Sequence, residues 1–114
     1  MITPVELFSL LSDETRLRCV IMLQRERELC VCEISQIIGS NQPKISRHLA
    51  LMRNSGLVLD ERRGQWIYYS LNQELPQWAK RIIESASDNL IKKEPYFSDV
   101  RKIGSLKKEN ICKA

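Results

Sequence analysis

A chain of 114 residues with 43% hydrophobic and 28% charged residues has the size and composition of one small globular domain. It contains no apolar run near the roughly 20 residues that a membrane-spanning helix needs. Residues 1–4 lack the basic and apolar parts of a signal peptide, so we expect a cytoplasmic protein with reduced thiols. The formal charge of +4 is compatible with a nucleic acid partner, and an aromatic content of 6% argues against a β-sandwich.

Helix start and stop patterns divide the first half of the chain into four predicted helices. Thr3-Pro4-Val5-Glu6 has the form of a capping box with proline at the first helical position. Ser12-Asp13-Glu14 starts a second helix, Gly39 is placed to end a third, and Ser40-Asn41 caps a fourth. The last three of these helices are predicted to end near Arg25, Ile38 and Asn54.

After Gly56 the helical spacing of apolar residues ends, and the pattern that follows predicts a β-hairpin. Residues 57–62 and 65–71 are rich in β-forming side chains and flank Arg63-Gly64, where glycine can supply the turn. A long helix with an apolar stripe follows Pro76, whereas the chain from about Pro95 lacks clear periodicity. We therefore predict a mainly α fold with a β-hairpin, in which residues 1–92 form one domain and residues 93–114 a mobile tail.

The third helix, the fourth helix and the hairpin follow each other in the order of a winged helix-turn-helix. In such proteins the N-terminal part of the second helix of the pair enters the major groove of DNA. The predicted DNA-binding residues are Gln42, Lys44, Ser46, Arg47, His48, Arg62 and Arg63. A second interpretation stays open for His48, in which its ring only caps a neighbouring backbone group. The combination favours double-stranded DNA as the partner.

The first helix and the long helix after Pro76 carry more apolar surface than one small domain needs. Because a short operator read by a single helix is held weakly, dimers are the usual arrangement. We predict a homodimer through the first and last helices, formed partly by Trp78, Ile82, Ile83 and Ala86 with Leu7, Phe8 or Leu11. In the alternative interpretation, all of these side chains line the core of one chain.

Two of the four cysteines, Cys30 and Cys32, stand one residue apart at the predicted start of the third helix. Thiolates bind soft ions, and a helix N-terminus lowers the pKa of a thiol. Residues two apart in a regular helix point about 200° away from each other, so the pair can share one ion only if this start is irregular or unwinds. Such a distortion beside the predicted recognition helix would change the affinity for DNA.

The other interpretation of the pair is structural, with one of the two cysteines simply buried. Cys19 lies among apolar residues and is predicted to be a core residue, and Cys112 falls in the predicted tail.

Several motifs in order resemble those of the ArsR/SmtB metalloregulators and, more narrowly, of the arsenic-responsive ArsR repressors. They are LLSDETRL at residues 10–17, ELCVCEI at 28–34, QPKISRHL at 42–49 and the wing sequence RGQWIYY at 63–69. The resemblance covers about residues 3–90. It implies a winged-helix homodimer that represses an arsenical-resistance operon and leaves its operator when As(III) or Sb(III) binds. It also implies that Cys30 and Cys32 are the metal ligands and that no cofactor is required.

This chain departs from the pattern at one position. Some relatives carry a third cysteine three residues after the second of the pair, where this chain has Ser35. The third ligand of the metalloid is then Cys112, an exogenous thiol or none.

Other functions remain as alternatives. A cadmium, lead or zinc sensor needs more ligands, and relatives that sense those ions use a cysteine-bearing N-terminal extension or acidic and histidine ligands on the last helix. His48 is the only histidine here. A thiol redox switch would join Cys30 to another cysteine. An enzyme is disfavoured, because the sequence offers no nucleophile–base pair and no glycine-rich phosphate loop.

Overall fold

The computed structural model describes the backbone of residues 1–109 and the side chains of residues 1–106. The described elements are, in chain order, α1 (Pro4–Leu11), α2 (Glu14–Arg25), β1 (Leu29–Cys30), α3 (Val31–Ile38), α4 (Gln42–Asn54), β2 (Val58–Arg63), β3 (Trp66–Leu71), α5 (Gln77–Leu90) and α6 (Tyr96–Glu109). This order confirms the predicted mainly α fold with a β-hairpin. None of the described helices has the length and apolar composition that would let it span a membrane.

Local capping explains where the first helices begin. The Thr3 hydroxyl accepts a hydrogen bond from the amide of Glu6. The Glu6 carboxylate accepts one from the amide of Thr3 at 2.8 Å, which completes the predicted capping box. Asp13 caps α2, and Asn41 caps α4 by accepting the amide of Lys44 at 2.9 Å. These side chains satisfy amides that have no partner inside their own helices.

The β-hairpin is part of a three-stranded antiparallel sheet in the order β1-β3-β2. Strands β2 and β3 pair from Val58 opposite Leu71 to Arg63 opposite Trp66, and Gly64 takes a φ of 63° in the turn. The two-residue strand β1 adds to the other side of β3, with Cys30 opposite Tyr68. The sequence predicted the hairpin but not β1.

One apolar core lies between the helices and the inner face of the sheet. Leu7, Met22, Leu49 and Leu57 are fully buried in it. Cys19 is also fully buried, which confirms its prediction as a core residue, and burial raises the pKa of its thiol to about 12.

The part of the predicted tail that the structure describes differs from the prediction. Residues 96–109 form α6, which packs against α2 and α3 and buries Ile103 and Leu106. The carboxylate of Asp99 is 1% exposed and pairs with Arg18 of α2. The predicted boundary at residue 92 is therefore corrected, because buried apolar and ionic contacts join α6 to the domain. Cys112 lies outside the described residues.

Two residues of the predicted dimer interface belong to the core of their own chain. Leu7 is 0% exposed and Ile83 is 3% exposed, so neither side chain is available to a second copy. Phe8, in contrast, is 56% exposed. The remaining predicted interface residues are half-buried, namely Leu11, Trp78, Ile82 and Ala86.

Candidate nucleic-acid interface

Helices α3 and α4 meet at a tight turn that Gly39 and Ser40 form. Gly39 takes a φ of 78°, a left-handed conformation that glycine adopts without strain. The carbonyl of Ser35 accepts hydrogen bonds from the amides of Gly39 and Ser40 at 2.9 and 3.2 Å. The Ser35 hydroxyl donates a hydrogen bond to the carbonyl of Ser40. Ser35, which stands where some relatives have a third cysteine, therefore closes the turn that orients α4.

One side of α4 is buried and the other is open to solvent. Ile45 and Leu49 are fully buried, whereas Lys44 and Arg47 are exposed. Gln42 is also exposed at the start of the helix, and Ser46 is half-buried. The predicted recognition face is thus polar and accessible at the N-terminal end, where helix amides also favour a nearby phosphate.

His48 lies apart from this face. Its side chain is 18% exposed, and its Nδ1 atom is 3.9 Å from the Asp13 carboxylate and 3.3 Å from Nη1 of Arg16. Arg16 also donates from Nε to the carbonyl of Leu10 at 2.8 Å. The ring therefore belongs to a polar cluster that joins α1, α2 and α4, which favours a structural role over contact with a base.

The hairpin tip contains two arginines in different environments. Arg62 is exposed, as predicted for a DNA contact. Arg63 donates from Nη1 and Nη2 to the two carboxylate oxygens of Glu28 at 2.6 and 2.9 Å, and from Nε and Nη2 to Glu61 at 3.2 and 3.1 Å. Its guanidinium also lies 4.5 Å from the centre of the Tyr68 ring. These hydrogen bonds raise the pKa of Arg63 and hold its side chain against the protein.

A second ion pair joins α4 to the hairpin. Nη1 of Arg53, in the last turn of α4, donates to the carboxylate of Asp60 in β2 at 3.0 Å. This hydrogen bond raises the pKa of Arg53. This partly exposed contact links the last turn of the helix to the first strand of the hairpin.

Cys30 occupies the junction between β1 and α3. It has extended backbone angles as the N-cap of α3, and the Glu33 carboxylate accepts its amide at 2.8 Å. Cys30 therefore lies just before the first helical turn, and Cys32 lies within that turn.

Burial raises the pKa of the Cys30 thiol, although the amides of Cys32, Glu33 and Ile67 donate toward its sulfur and act in the opposite direction. The expectation of a lowered pKa is wrong for Cys30, because the loss of solvent at a side chain only 2% exposed outweighs the helix N-terminus.

Cys32 lies in the first turn of α3 and is half-buried. Among the residues described, no group of three or more histidine, cysteine, aspartate or glutamate side chains is placed to hold a metal ion.

Sequence reasoning missed Glu28 as a residue of this region. Its carboxylate anchors the wing arginine from 35 positions away in the chain. The only local indication was its position next to the cysteine motif.

The exposed polar face of α4, its tight turn after α3 and the hairpin that follows define a winged helix-turn-helix DNA-binding protein. The family model described as "Bacterial regulatory protein, arsR family" matches residues 13–59. The arsenic resistance transcriptional regulator ArsR2 of Pseudomonas putida is 51% identical over 84 residues, which are 74% of this chain and 73% of that protein. The chain therefore belongs to the ArsR family of bacterial transcriptional regulators and is not an enzyme.

Two further comparisons agree with this assignment. The arsenical resistance operon repressor of Escherichia coli is 51% identical over 83 residues, which are 73% of this chain and 71% of that protein. The structure of reduced HlyU from Vibrio cholerae superposes with a TM-score of 0.66 at 31% identity, over 75% of this chain and 86% of that one.

Proposed function

We propose that this protein represses an arsenical-resistance operon and leaves its operator when As(III) or Sb(III) binds Cys30 and Cys32. The observation that carries the proposal is the position of the pair. Cys30 ends β1 and Cys32 lies in the first turn of α3, which leads through the Ser35–Ser40 turn into α4. The two relatives described above are an arsenic resistance transcriptional regulator and an arsenical resistance operon repressor.

Binding of arsenite to the reduced pair is a ligand exchange without a redox step. As(OH)₃ reacts with the two thiols to give a dithiolate As–OH species, and each new As–S bond releases one water. A third thiol from solution can replace the remaining hydroxide with loss of another water. As(III) prefers its sulfur ligands gathered on one side, so Cys32 must approach Cys30 and the first turn of α3 must change.

The DNA contacts proposed here come from the start of α4 and the wing. Gln42, Lys44 and Arg47 are exposed on the recognition face, and Arg62 is exposed at the tip of the hairpin. Ser46 is at the edge of that face. Side chains with these donors suit base edges in the major groove and phosphates.

We also propose that the protein binds DNA as a homodimer through the face of α1 that contains Val5 and Phe8. Their side chains are 79% and 56% exposed, and a face of this kind is usually covered by a partner. Trp78 and Ile82 of α5 are half-buried and can extend the interface. Analytical ultracentrifugation tests it: Phe8→Glu should give monomers, whereas the same change at Phe97, which is 44% exposed on α6, should leave the dimer intact.

The inducer site is tested by fluorescence anisotropy with a labelled duplex that spans the promoter of the protein's own gene. The protein is kept reduced with a phosphine, because a dithiol reductant would compete for arsenite. We expect arsenite to release the wild type and the Cys19→Ala control. The double variant Cys30→Ser with Cys32→Ser should bind the duplex normally and stay bound. A double variant that is still released by arsenite would refute the site.

The same titration distinguishes the alternative functions. Release by Sb(III) and As(III), with little response to Zn(II) or Cd(II), is the expected pattern. Release by zinc or cadmium alone would identify a divalent-metal sensor. If peroxide releases the protein from the duplex and arsenite does not, the protein is a thiol redox switch.

A further inference from the structure

The proposed inducer site is connected to the wing directly as well as through α3. Cys30 lies opposite Tyr68 in the β1–β3 pairing. Movement of its sulfur toward Cys32 disturbs this strand pair, which is only two residues long.

Side chains on one face of the sheet continue this connection to the hairpin tip. Residues directly opposite each other in antiparallel strands place their side chains on the same face. Cys30, Tyr68 and Glu61 therefore form one row across the three strands. Arg63 lies over Tyr68 and bonds both Glu61 and Glu28, two residues before Cys30.

The tip of the wing extends beyond the part of β3 that β1 supports. Strand β1 pairs only with Tyr68 and Tyr69, whereas β2 and β3 continue to Arg63 and Trp66. The bidentate contact from Arg63 to Glu28 is thus a charge-assisted link between this overhanging tip and the segment that holds Cys30. Arg62, exposed beside it, takes its position from the same tip.

We propose that Glu28 and Arg63 are positioning residues that hold the wing in its DNA-binding orientation, and that ion binding at the cysteine pair releases the wing through β1. The inference rests on the proposed function and adds a second route to the one through α3. Ion binding weakens the Glu28–Arg63 contact in this scheme, so the contact opposes binding of the ion and favours binding of DNA. Reciprocity between the two sites follows from linkage.

The variant Glu28→Gln tests this scheme, with Glu74→Gln as the matched control. Both changes remove one negative charge from a glutamate, and Glu74 is exposed on the loop after β3. Anisotropy with the promoter duplex measures DNA affinity, and isothermal titration calorimetry with arsenite measures arsenite affinity without DNA.

An exposed ion pair predicts small but measurable changes. Glu28→Gln should weaken DNA binding by the inducer-free protein about two- to fivefold and tighten arsenite binding by about the same factor. Unchanged DNA and arsenite affinities in Glu28→Gln would overturn the proposal. Weaker arsenite binding would also overturn it, because that result would place Glu28 in the ion site itself. The control should match the wild type in both measurements.

Hydrogen exchange of the free protein distinguishes this positioning role of Glu28 from a purely structural one. Arsenite should raise the exchange of β3 amides in the wild type, and in Glu28→Gln this exchange should already be raised before arsenite is added. Unchanged β3 exchange in the wild type on arsenite binding would overturn the wing route. The proposed function fails separately, when arsenite does not release the wild type or still releases the double cysteine variant.

Discussion

Arg18 in α2 donates from Nε and Nη2 to the two carboxylate oxygens of Asp99 in α6, both at 2.8 Å. The Asp99 side chain is 1% exposed and the Arg18 side chain 16% exposed, and hydrogen bonding to Asp99 raises the pKa of Arg18. This ion pair, with buried Ile103 and Leu106, joins the last described helix to the body of the regulator.

Breaking that pair on one side should destabilise the protein. Asp99→Asn leaves the Arg18 charge without its buried partner and should lower the free energy of unfolding by about 3 kcal/mol. Replacing both residues, as Arg18→Met with Asp99→Leu, should recover much of the loss because no uncompensated charge remains. Urea denaturation followed by circular dichroism measures both variants. An Asp99→Asn protein as stable as the wild type would show that α6 is not held by this contact.

Elements with local start and stop patterns were predictable from the sequence, and those that depend on distant partners were not. The capping box at Thr3 and the left-handed turn at Gly39 need only neighbouring residues, so α1 and α3 lie close to their predicted positions. Helix α6 depends on a partner 81 positions away, Arg18. Strand β1 has two residues, too few to show an alternating pattern.

The same distinction applies to the candidate interface. Exposure of Lys44 and Arg47 follows from helical periodicity, which the sequence shows directly. The placement of His48 against Asp13 and of Arg63 against Glu28 depends on contacts between residues 35 positions apart in each pair. Sequence patterns identify a basic residue at such positions but not the acid that holds it.

Arg47 is the residue whose removal should affect DNA binding most clearly. Arg47→Ala should weaken binding to the promoter duplex by about 1–3 kcal/mol if it contacts a base, or lower the slope of log K against log salt by about 1 if it contacts a phosphate. Anisotropy at several salt concentrations separates the two. Lys102→Ala removes one positive charge from the exposed face of α6 and should cost little. Equal losses for both variants would remove Arg47 from the interface.

Asp13 should make stability depend on pH in the acid range. The Arg16 amide, and to a lesser degree His48, lower the pKa of Asp13 below its ordinary value of 3.8, so its carboxylate stabilises the folded state. That contribution is fully present above the ordinary value and is lost as the pH falls through the lowered one. Asn also caps helices, so Asp13→Asn should cost roughly 0.5 kcal/mol at neutral pH and progressively less below about pH 4. Thermal melts from pH 3 to 7 measure this, and a difference that grows with acid would contradict the account.

Burial should make Cys19 and Cys30 slow to react with alkylating reagents. Burial raises the pKa of both thiols, to about 12 for Cys19, so little thiolate is present at pH 8. Mass spectrometry after iodoacetamide treatment should show both cysteines largely unmodified in native protein and fully modified in urea. Rapid native modification of Cys30 would show that its sulfur is more open than the structure indicates.

Reciprocal binding measurements test the coupling between metalloid capture and DNA release most directly. Arsenite is titrated into free protein and into protein saturated with the promoter duplex, and the duplex is titrated into protein with and without saturating arsenite. Our prediction is that DNA weakens arsenite binding by the same factor by which arsenite weakens DNA binding, and that Cys30→Ser with Cys32→Ser abolishes both effects. Equal arsenite affinity for free and DNA-bound wild-type protein would contradict it.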